Sequence, residues 1–440
     1  MSESEGAGMR RRLPGTSSTA PASPLEVDDL LREILLRLPP QPSSLPRASA
    51  VCTRWRGLVT DPNFLRIFRV HHPKPPLLGF IELGHMGIKF TPILDPPDRI
   101  PPERFHLGPC SRGTEVLHCR HGLILVIDMA WKEVVVCDPI AGEQRHVAIP
   151  PVLRRYDLNG VVLCSASEQG HLHGSSHSSP FKFKVVLVGM YKQDLMACVY
   201  SSEAGVWGNL ITRTAPSDLF ADRVPGIVIG NALYWLSFSD RIVEFDLDEH
   251  NLAVIEGPPI TCDFHDGSSQ IIQSEDGVVG LAILSYTRLQ MWHRNVNCHG
   301  VATWVLWKTI ERQNILGLPR TMVNGLIMGY SQDTDELFIY AEGNAYMVHL
   351  KWMQSKILPG INQHIYKYHP FTSFYTPDVV LLFYCKIFCI MKYELQKGVI
   401  WRSLICQLIY VTILKKKPIY AQPFVDVMKL TCCTIHRMTV

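Results

Sequence analysis

The sequence predicts an α+β protein in sequence order: a small N-terminal unit of three helices, then an all-β, propeller-like domain of about six blades, then an irregular hydrophobic tail. Three observations carry this. Leu30, Leu31, Ile34, Leu35 and Leu38 recur at helical spacing after Asp28 and Asp29. From about 115 to 376, short β-rich segments alternate with turn residues. Several of those segments resemble one another at a period near 47 residues, a length that suits a blade of four short strands.

Composition sets the bounds. The 440 residues are 47% apolar and 19% charged, enough to bury a sizeable core and too apolar for a mostly disordered chain. Gly (30) and Pro (31) exclude a collagen-like or low-complexity architecture. A net charge of +3 is not that of a chain built around nucleic acid. Between 79 and 378 acidic residues outnumber basic ones, which argues against a phosphate-tracking groove there. The 13 cysteines form no C-x-x-C pair, and the first 24 residues hold no apolar secretory core. Glu3 and Glu5 argue against an organelle transit peptide. Reduced thiols, and hence the cytoplasm or nucleus, are the expectation.

Residues 1–24, small, polar and rich in Pro and Ser, read as a disordered arm. Residues 25–70 read as a helical domain. Asp28 and Asp29 stand in a first turn, where the helix dipole favours negative charge, and Pro39 and Pro40 stop the helix. Ser43 and Ser44 are placed to cap a second helix with Leu45, Ala48, Val51, Cys52 and Trp55 on one face. Asp61-Pro62 pairs a cap with proline at the first helical position and opens a third. A unit this small cannot bury its apolar surface well alone, and wants either the rest of the chain or another protein against it.

These residues also resemble an F-box. The run D-D-L-L-R-E-I-L-L-R-L-P (Asp28 to Pro39), then Val51-Cys52-x-x-Trp55-Arg56-x-Leu58 and Asp61-Pro62-x-Phe64, follows that family's pattern in order and spacing. The family opens with Leu-Pro before the acidic pair, where this chain has Glu26-Val27. The resemblance implies docking on a Skp-type adaptor and, through it, on the cullin and RING subunits of a ubiquitin ligase. Carried over residue by residue, it implies adaptor contacts at Leu30, Leu31, Ile34, Leu38, Pro39, Leu45, Val51, Cys52 and Trp55.

Residues 71–114 are rich in Pro and read as a linker leading into first strands, around Leu77–Ile81 and near Phe105. In the domain at 115–376, aligning Cys137, Tyr200, Phe245, Trp292 and Tyr340 gives spacings of 63, 45, 47 and 48. The first contains a 16-residue insert, 165–180. Gly230, Gly277 and Gly325, each ahead of an apolar strand, repeat the period. Five repeats plus degenerate material around 77–125 make about six blades; a pair of β-sandwiches is the competing reading. Cys119–Leu125, Cys137–Arg145, Tyr200–Trp207, Gly230–Leu236 and Tyr368–Tyr375 together resemble the F-box-associated, kelch-like domains of plant and especially grass F-box proteins. That resemblance implies a partner-binding platform.

The tail, 377–440, nearly lacks acidic residues and holds apolar runs cut by Lys386, Lys392 and Arg402. The runs fall short of the roughly 18–20 residues a membrane span needs, so membrane insertion is not expected. The tail reads as sequence foreign to the native domain, with a hydrophobic anchor or a packed helix as alternatives.

No P-loop, H-E-x-x-H, G-x-S-x-G or G-x-G-x-x-G signature occurs. Asp333, Asp335 and Glu336 imitate a Ca²⁺ loop but lack its closing glycine and distant Glu, and read as a solvated hairpin turn. His171, His173 and His177 fall in the Ser/Gly-rich insert, and Cys385 and Cys389 in the tail; neither set reads as a metal site. Trp207, Tyr234, Trp235, Trp304, Trp307 and Trp352 read as blade-core packing, and Arg145, Arg154 and Arg155 as a solvated face or a small basic patch. No cofactor, metal or catalytic residue is expected. The reading that fits best is the substrate-recognition subunit of an SCF-type ubiquitin ligase, non-catalytic, with the β domain holding a target protein. The alternatives are a β-propeller binding module or enzyme with a non-functional F-box, and a degenerate gene product.

Overall fold

In the computed structural model four helices, not three, open the fold: α1 (Asp28–Leu36), α2 (Ser44–Ser49), α3 (Thr53–Val59) and α4 (Pro62–His71). The residues described are 25, 27–84, 87–105, 113–164, 182–215, 224–237, 241–259, 268–318, 325–358 and 368–375. The expected disordered arm, Glu26, the His-bearing insert and the tail lie outside them.

The expected second helix is broken in two. The Ser49 hydroxyl donates to the Pro46 carbonyl (2.6 Å) at the end of α2. Cys52 then turns extended (φ −161°), and its Sγ accepts from the Trp55 amide at 3.5 Å, capping α3. Ser43 precedes α2 but makes no side-chain cap; its own amide donates to Asp98 Oδ1 (2.9 Å), far along the chain. Asp61 caps α4 as expected, accepting from the Asn63 amide with Pro62 in the first turn. Leu31, Leu35, Leu45, Ala48, Val59, Phe64 and Phe68 form the core these helices share.

Among the described residues six antiparallel sheets follow, arranged as a six-bladed propeller. The chain enters with the hairpin β1 (Leu77–Gly84) and β2 (Gly87–Pro92). Blade one holds β3 (Thr114–Arg120), β4 (Leu123–Asp128), β5 (Glu133–Asp138) and β6 (Glu143–Ala148). Blade two holds β7 (Asp157–Cys164), β8 (Phe183–Tyr191), β9 (Asp194–Ser201), β10 (Val206–Trp207) and β11 (Ile211–Thr214). Blade three holds β12 (Ile227–Ile229), β13 (Ala232–Leu236), β14 (Ile242–Asp246) and β15 (Asn251–Ile255). Blade four holds β16 (Ser268–Gln273), β17 (Val279–Leu284), β18 (Arg288–Val296) and β19 (Ala302–Glu311). Blade five holds β20 (Leu326–Ser331), β21 (Glu336–Ala341), β22 (Asn344–His349) and β23 (Gln354–Leu358). The last strand, β24 (His369–Thr372), pairs with β1, so the sixth blade joins both ends of the domain. β24 touches β3 on one side and β20 on the other, which closes the ring.

The sixth blade is therefore not built as the sequence suggested. Material at 77–92 supplies two of its strands, while 114–128 belongs to blade one. Phe105 is not in a strand; it follows a 3-10 turn (Pro102–Arg104) and stacks on Phe90 (ring centroids 3.6 Å) to fill the blade. The repeat markers also need one correction. Cys137, Tyr200, Phe245 and Trp292 lie on the third strands of their blades, but Tyr340 lies on β21, a second strand. The β21–β22 hairpin imitates the third–fourth hairpin in pattern because both are strand, polar turn, strand. Gly230 and Gly277 occupy the first turn of their blades with positive φ (+58° and +77°), as Gly122 does in blade one (+80°). Gly325 instead precedes β20, and Asp335 (φ +54°) takes the turn position in blade five.

Candidate partner-binding site

Antiparallel blades sort their loops to the two ends of the ring. The first and third turns of each blade fall at one end, the second turns and the blade-to-blade connections at the other. The helices enter at the first end: the Ser373 amide, just after β24, donates to the Pro76 carbonyl beside β1 (3.3 Å). Phe374 and Tyr375 then line a crevice with Pro40, Leu45 and Phe68 of the helical unit. The Ser43–Asp98 bond fixes the same joint, and within the helical unit His72 Nε2 is bonded to the Leu36 carbonyl (2.9 Å). Burial holds the His72 imidazole below its ordinary pKa.

On the helical unit, the sequence-derived contact residues divide by burial. Leu30 (48% exposed) and Ile34 (40%) lie one turn apart on the outer face of α1. Val51 (60%) and Cys52 are exposed at the α2–α3 turn, and Pro39 is exposed after α1. Leu38 and Trp55 are half-buried at the edge of the core. Leu31 (0%) and Leu45 (4%) are inside it. In the chain alone, α1 turns Leu31 inward with Leu35, and Leu45 packs in the same core beside the crevice. Sequence reasoning missed three residues here. Leu25 (44%) and Val27 (40%) extend the exposed apolar surface ahead of α1. Arg54 clamps α3 to α1, donating from Nε and Nη2 to Asp28 Oδ1 (2.8 and 2.6 Å) and from Nη1 to the Leu25 carbonyl (2.8 Å). This brings the α2–α3 turn beside the start of α1, and it is why Asp28 serves more than the helix dipole.

The propeller axis is polar and small. A cavity of about 60 Å³ is lined by His118, Arg120, Gln270, Gln332, Asp333 and His369, among others. Arg120 donates to Gln332 Oε1 (3.1 Å), while Gln332 Nε2 donates to Gln273 Oε1 (2.9 Å) and to the Val228 carbonyl (2.6 Å). Thr372 donates to Asp333, and the Tyr330 hydroxyl to Asp335 Oδ1 (3.0 Å). The turn at Asp333, Asp335 and Glu336 is thus half-buried and hydrogen-bonded at the channel mouth, not solvated. Burial lowers the Arg120 pKa against the opposing pull of Asp333, and raises that of the Glu336 carboxyl. His118 is held well below its ordinary pKa by burial and then by the charges of Arg120, His369 and His121. Its Nδ1 accepts from the Val162 amide (3.4 Å). These bonds join strands of different blades and read as a closed polar plug. Among the described residues no three His, Cys, Asp or Glu side chains gather as a metal site. No described helix is long and apolar enough to cross a membrane.

The aromatic residues also divide. Trp235 and Tyr234 are buried in the blades. Trp207 and Trp304 are half-buried and each donates from Nε1 to a carbonyl of the preceding blade region, Ala148 (2.9 Å) and Glu256 (2.8 Å). Trp307 packs at the edge of a core, whereas Trp352 is 64% exposed and is not core.

Comparison with known proteins agrees with this architecture. Residues 27–67 match the F-box domain, and residues 115–378 match the family described as "F-box protein AT5G49610-like, beta-propeller". The chain is an F-box protein and belongs to that propeller-bearing family. It is 39% identical over 77 residues to "Putative F-box protein At1g47765" of Arabidopsis thaliana, a match covering 17% of this chain and 19% of the relative. Similar solved structures include a protein of unknown function from Bacteroides thetaiotaomicron (9% identity, 56% of each chain, TM-score 0.31). BamB from Moraxella catarrhalis is another (10% identity, 55% of this chain and 62% of that one, TM-score 0.29). The family is one of receptors or adaptors rather than enzymes, with a substrate-recognition role.

Proposed function

We propose that this chain is the substrate-recognition subunit of an SCF-type cullin–RING ubiquitin ligase. Its helical unit docks on a Skp-type adaptor, through it on the cullin and RING subunits, and its propeller holds a target protein. It acts without catalytic residues of its own, in the cytoplasm or nucleus. The observation that carries the reading is the apolar surface of Val27, Leu30, Ile34 and Val51, exposed on a helical unit whose own core is already filled. Apolar side chains left outside a complete core mark a surface that another protein covers. Catalysis then comes from proximity: a target held beside a charged ubiquitin-conjugating enzyme meets it at a raised effective concentration. The test is co-purification of the full chain with a plant Skp-type adaptor, beside a Leu30→Asp, Ile34→Asp variant shown to be folded by circular dichroism. Capture by the unsubstituted chain and loss in the variant is the expected result. Absence of capture by a folded, unsubstituted chain refutes the reading.

A further inference from the structure

At the end of the ring away from the helical unit, three neighbouring segments of blades one and two present a patch of aromatic and basic side chains. The first is the β4–β5 turn. Asp128 Oδ1 accepts from the amides of Ala130 (2.9 Å) and Trp131 (3.1 Å), so the turn is held and Trp131 stands out, 74% exposed. The second is the 3-10 turn Pro151–Arg155 that joins the two blades. It is tied to the first, because the Ile149 amide donates to the Lys132 carbonyl (2.9 Å), and Arg154 Nε donates to the Ile149 carbonyl (3.1 Å). The third is the β8–β9 turn with Tyr191 and Lys192. The Arg155 guanidinium lies 5.4 Å from the ring centres of both Tyr156 and Tyr191, and the Lys192 ammonium 5.4 Å from that of Tyr191.

We infer that this patch is the docking surface for an extended, carboxylate-rich segment of the target protein, with one apolar side chain of that segment seated on Trp131. The inference rests on the receptor reading above and names the chemistry that the receptor selects. Exposed Trp, Tyr and Arg are the residues that dominate binding energy at protein interfaces. An arginine already held beside two rings is restrained before its ligand arrives and offers a planar fork to a carboxylate. Four exposed cations, Lys132, Arg154, Arg155 and Lys192, share the patch in a domain that is otherwise acid-rich. Asp157 and Asp194 are exposed beside them, and Glu133 is bonded to His146. A nucleic-acid backbone laid across the patch meets those two carboxylates. An extended peptide with spaced acidic residues pairs with the cations and leaves the carboxylates to water.

The test uses the full chain and fluorescence anisotropy with three labelled probes. These are a twelve-residue peptide of Glu and Ala with one central Leu, its Gln-for-Glu counterpart, and a twelve-nucleotide oligouridine. Salt-sensitive binding of the Glu peptide is expected, at least tenfold tighter than either other probe. It falls at least tenfold in an Arg155→Glu, Lys192→Glu variant and in Trp131→Ala, and is unchanged in Lys74→Glu, a charge reversal in the exposed linker after α4. No binding of the Glu peptide, equal binding of the Gln peptide, tighter binding of oligouridine, or unaltered binding by the patch variants each overturns the inference. Adaptor capture is measured on the same preparations and is expected to be the same in all of them. If the unsubstituted chain captures no adaptor, the ligase reading fails, and the peptide data still decide the patch.

Discussion

Leu30 and Leu31 are neighbours in sequence, and replacing them should give opposite results. Leu31 is fully buried among Leu35, Phe64 and Phe68, so Leu31→Ala removes packed methyl groups and leaves a cavity. Such changes cost about 2–5 kcal/mol, a large share of what a small helical unit has. Leu30 is 48% and Ile34 40% exposed, so each still has nearly half its surface to lose to a partner. Full burial of such a side chain contributes about 1.5–3 kcal/mol, so roughly 1 kcal/mol of each remains for docking. Leu30→Ala with Ile34→Ala should therefore weaken adaptor binding by about 2 kcal/mol, or roughly thirtyfold in Kd, while the fold is little changed. Isothermal titration with a purified Skp-type adaptor measures the first quantity, and urea unfolding the second. The reasoning is refuted if the surface pair loses stability and keeps affinity, or if Leu31→Ala is as stable as the unsubstituted chain.

Three other outcomes follow from local chemistry. A thiol at 3.5 Å is a poor helix cap, so Cys52→Ser should stabilise α3 by about 0.5–1 kcal/mol and Cys52→Ala should not, as urea midpoints will show. Gly122 has φ +80°, and a Cβ there would stand 2.7 Å from Ser373 Oγ; Gly122→Ala should cost about 1–2 kcal/mol at the seam where the ring closes, read as a lowered Tm. His118 is buried neutral, with a folded pKa well below its unfolded value near 6.5. The unfolded chain therefore gains a proton that the folded chain refuses, and stability is lost as pH falls below about 6.5. The urea midpoint should therefore be lower at pH 5.5 than at pH 7.5, and that difference should shrink in His118→Gln.

The helix stripe at 28–38, the cap at Asp61-Pro62 and the blade period were legible because each is written in local spacing. What was not legible depends on partners remote in sequence. Ser43 looked like a cap, but its amide is used by Asp98, 55 positions away. Leu31 and Leu30 are equally apolar, and only the placement of α4 decides which faces inward. Tyr340 sits in a segment with the right pattern, yet one strand early, because every hairpin of a propeller repeats strand, turn, strand. β24 closes the ring on β1 across the whole domain, a pairing that no window of sequence contains. Trp131 carried a local signal that went unused: a tryptophan three residues after an aspartate, in a hairpin turn where small polar residues are the rule.

The closure also bears on how such a receptor works. Both chain ends of the propeller meet at the end of the ring where the helices enter, and Ser373, Phe374 and Tyr375 lie against residues before β1 and in the helical unit. The helical unit is thereby tied to the ring by the chain before β1, by the Ser43–Asp98 bond and by the segment after β24, and does not hang on the Pro-rich linker alone. A joint held at three places limits the volume that a bound target explores. Effective concentration falls as the volume explored by a tethered group grows, so under the proposed ligase function a held joint would act on the rate at which a target lysine meets the transfer enzyme. The end of the ring bearing Trp131, Arg155 and Tyr191 faces away from that joint. Under the proposed function, a target docked on that patch would be held clear of the helices and still at a fixed reach from them, the arrangement that proximity catalysis requires.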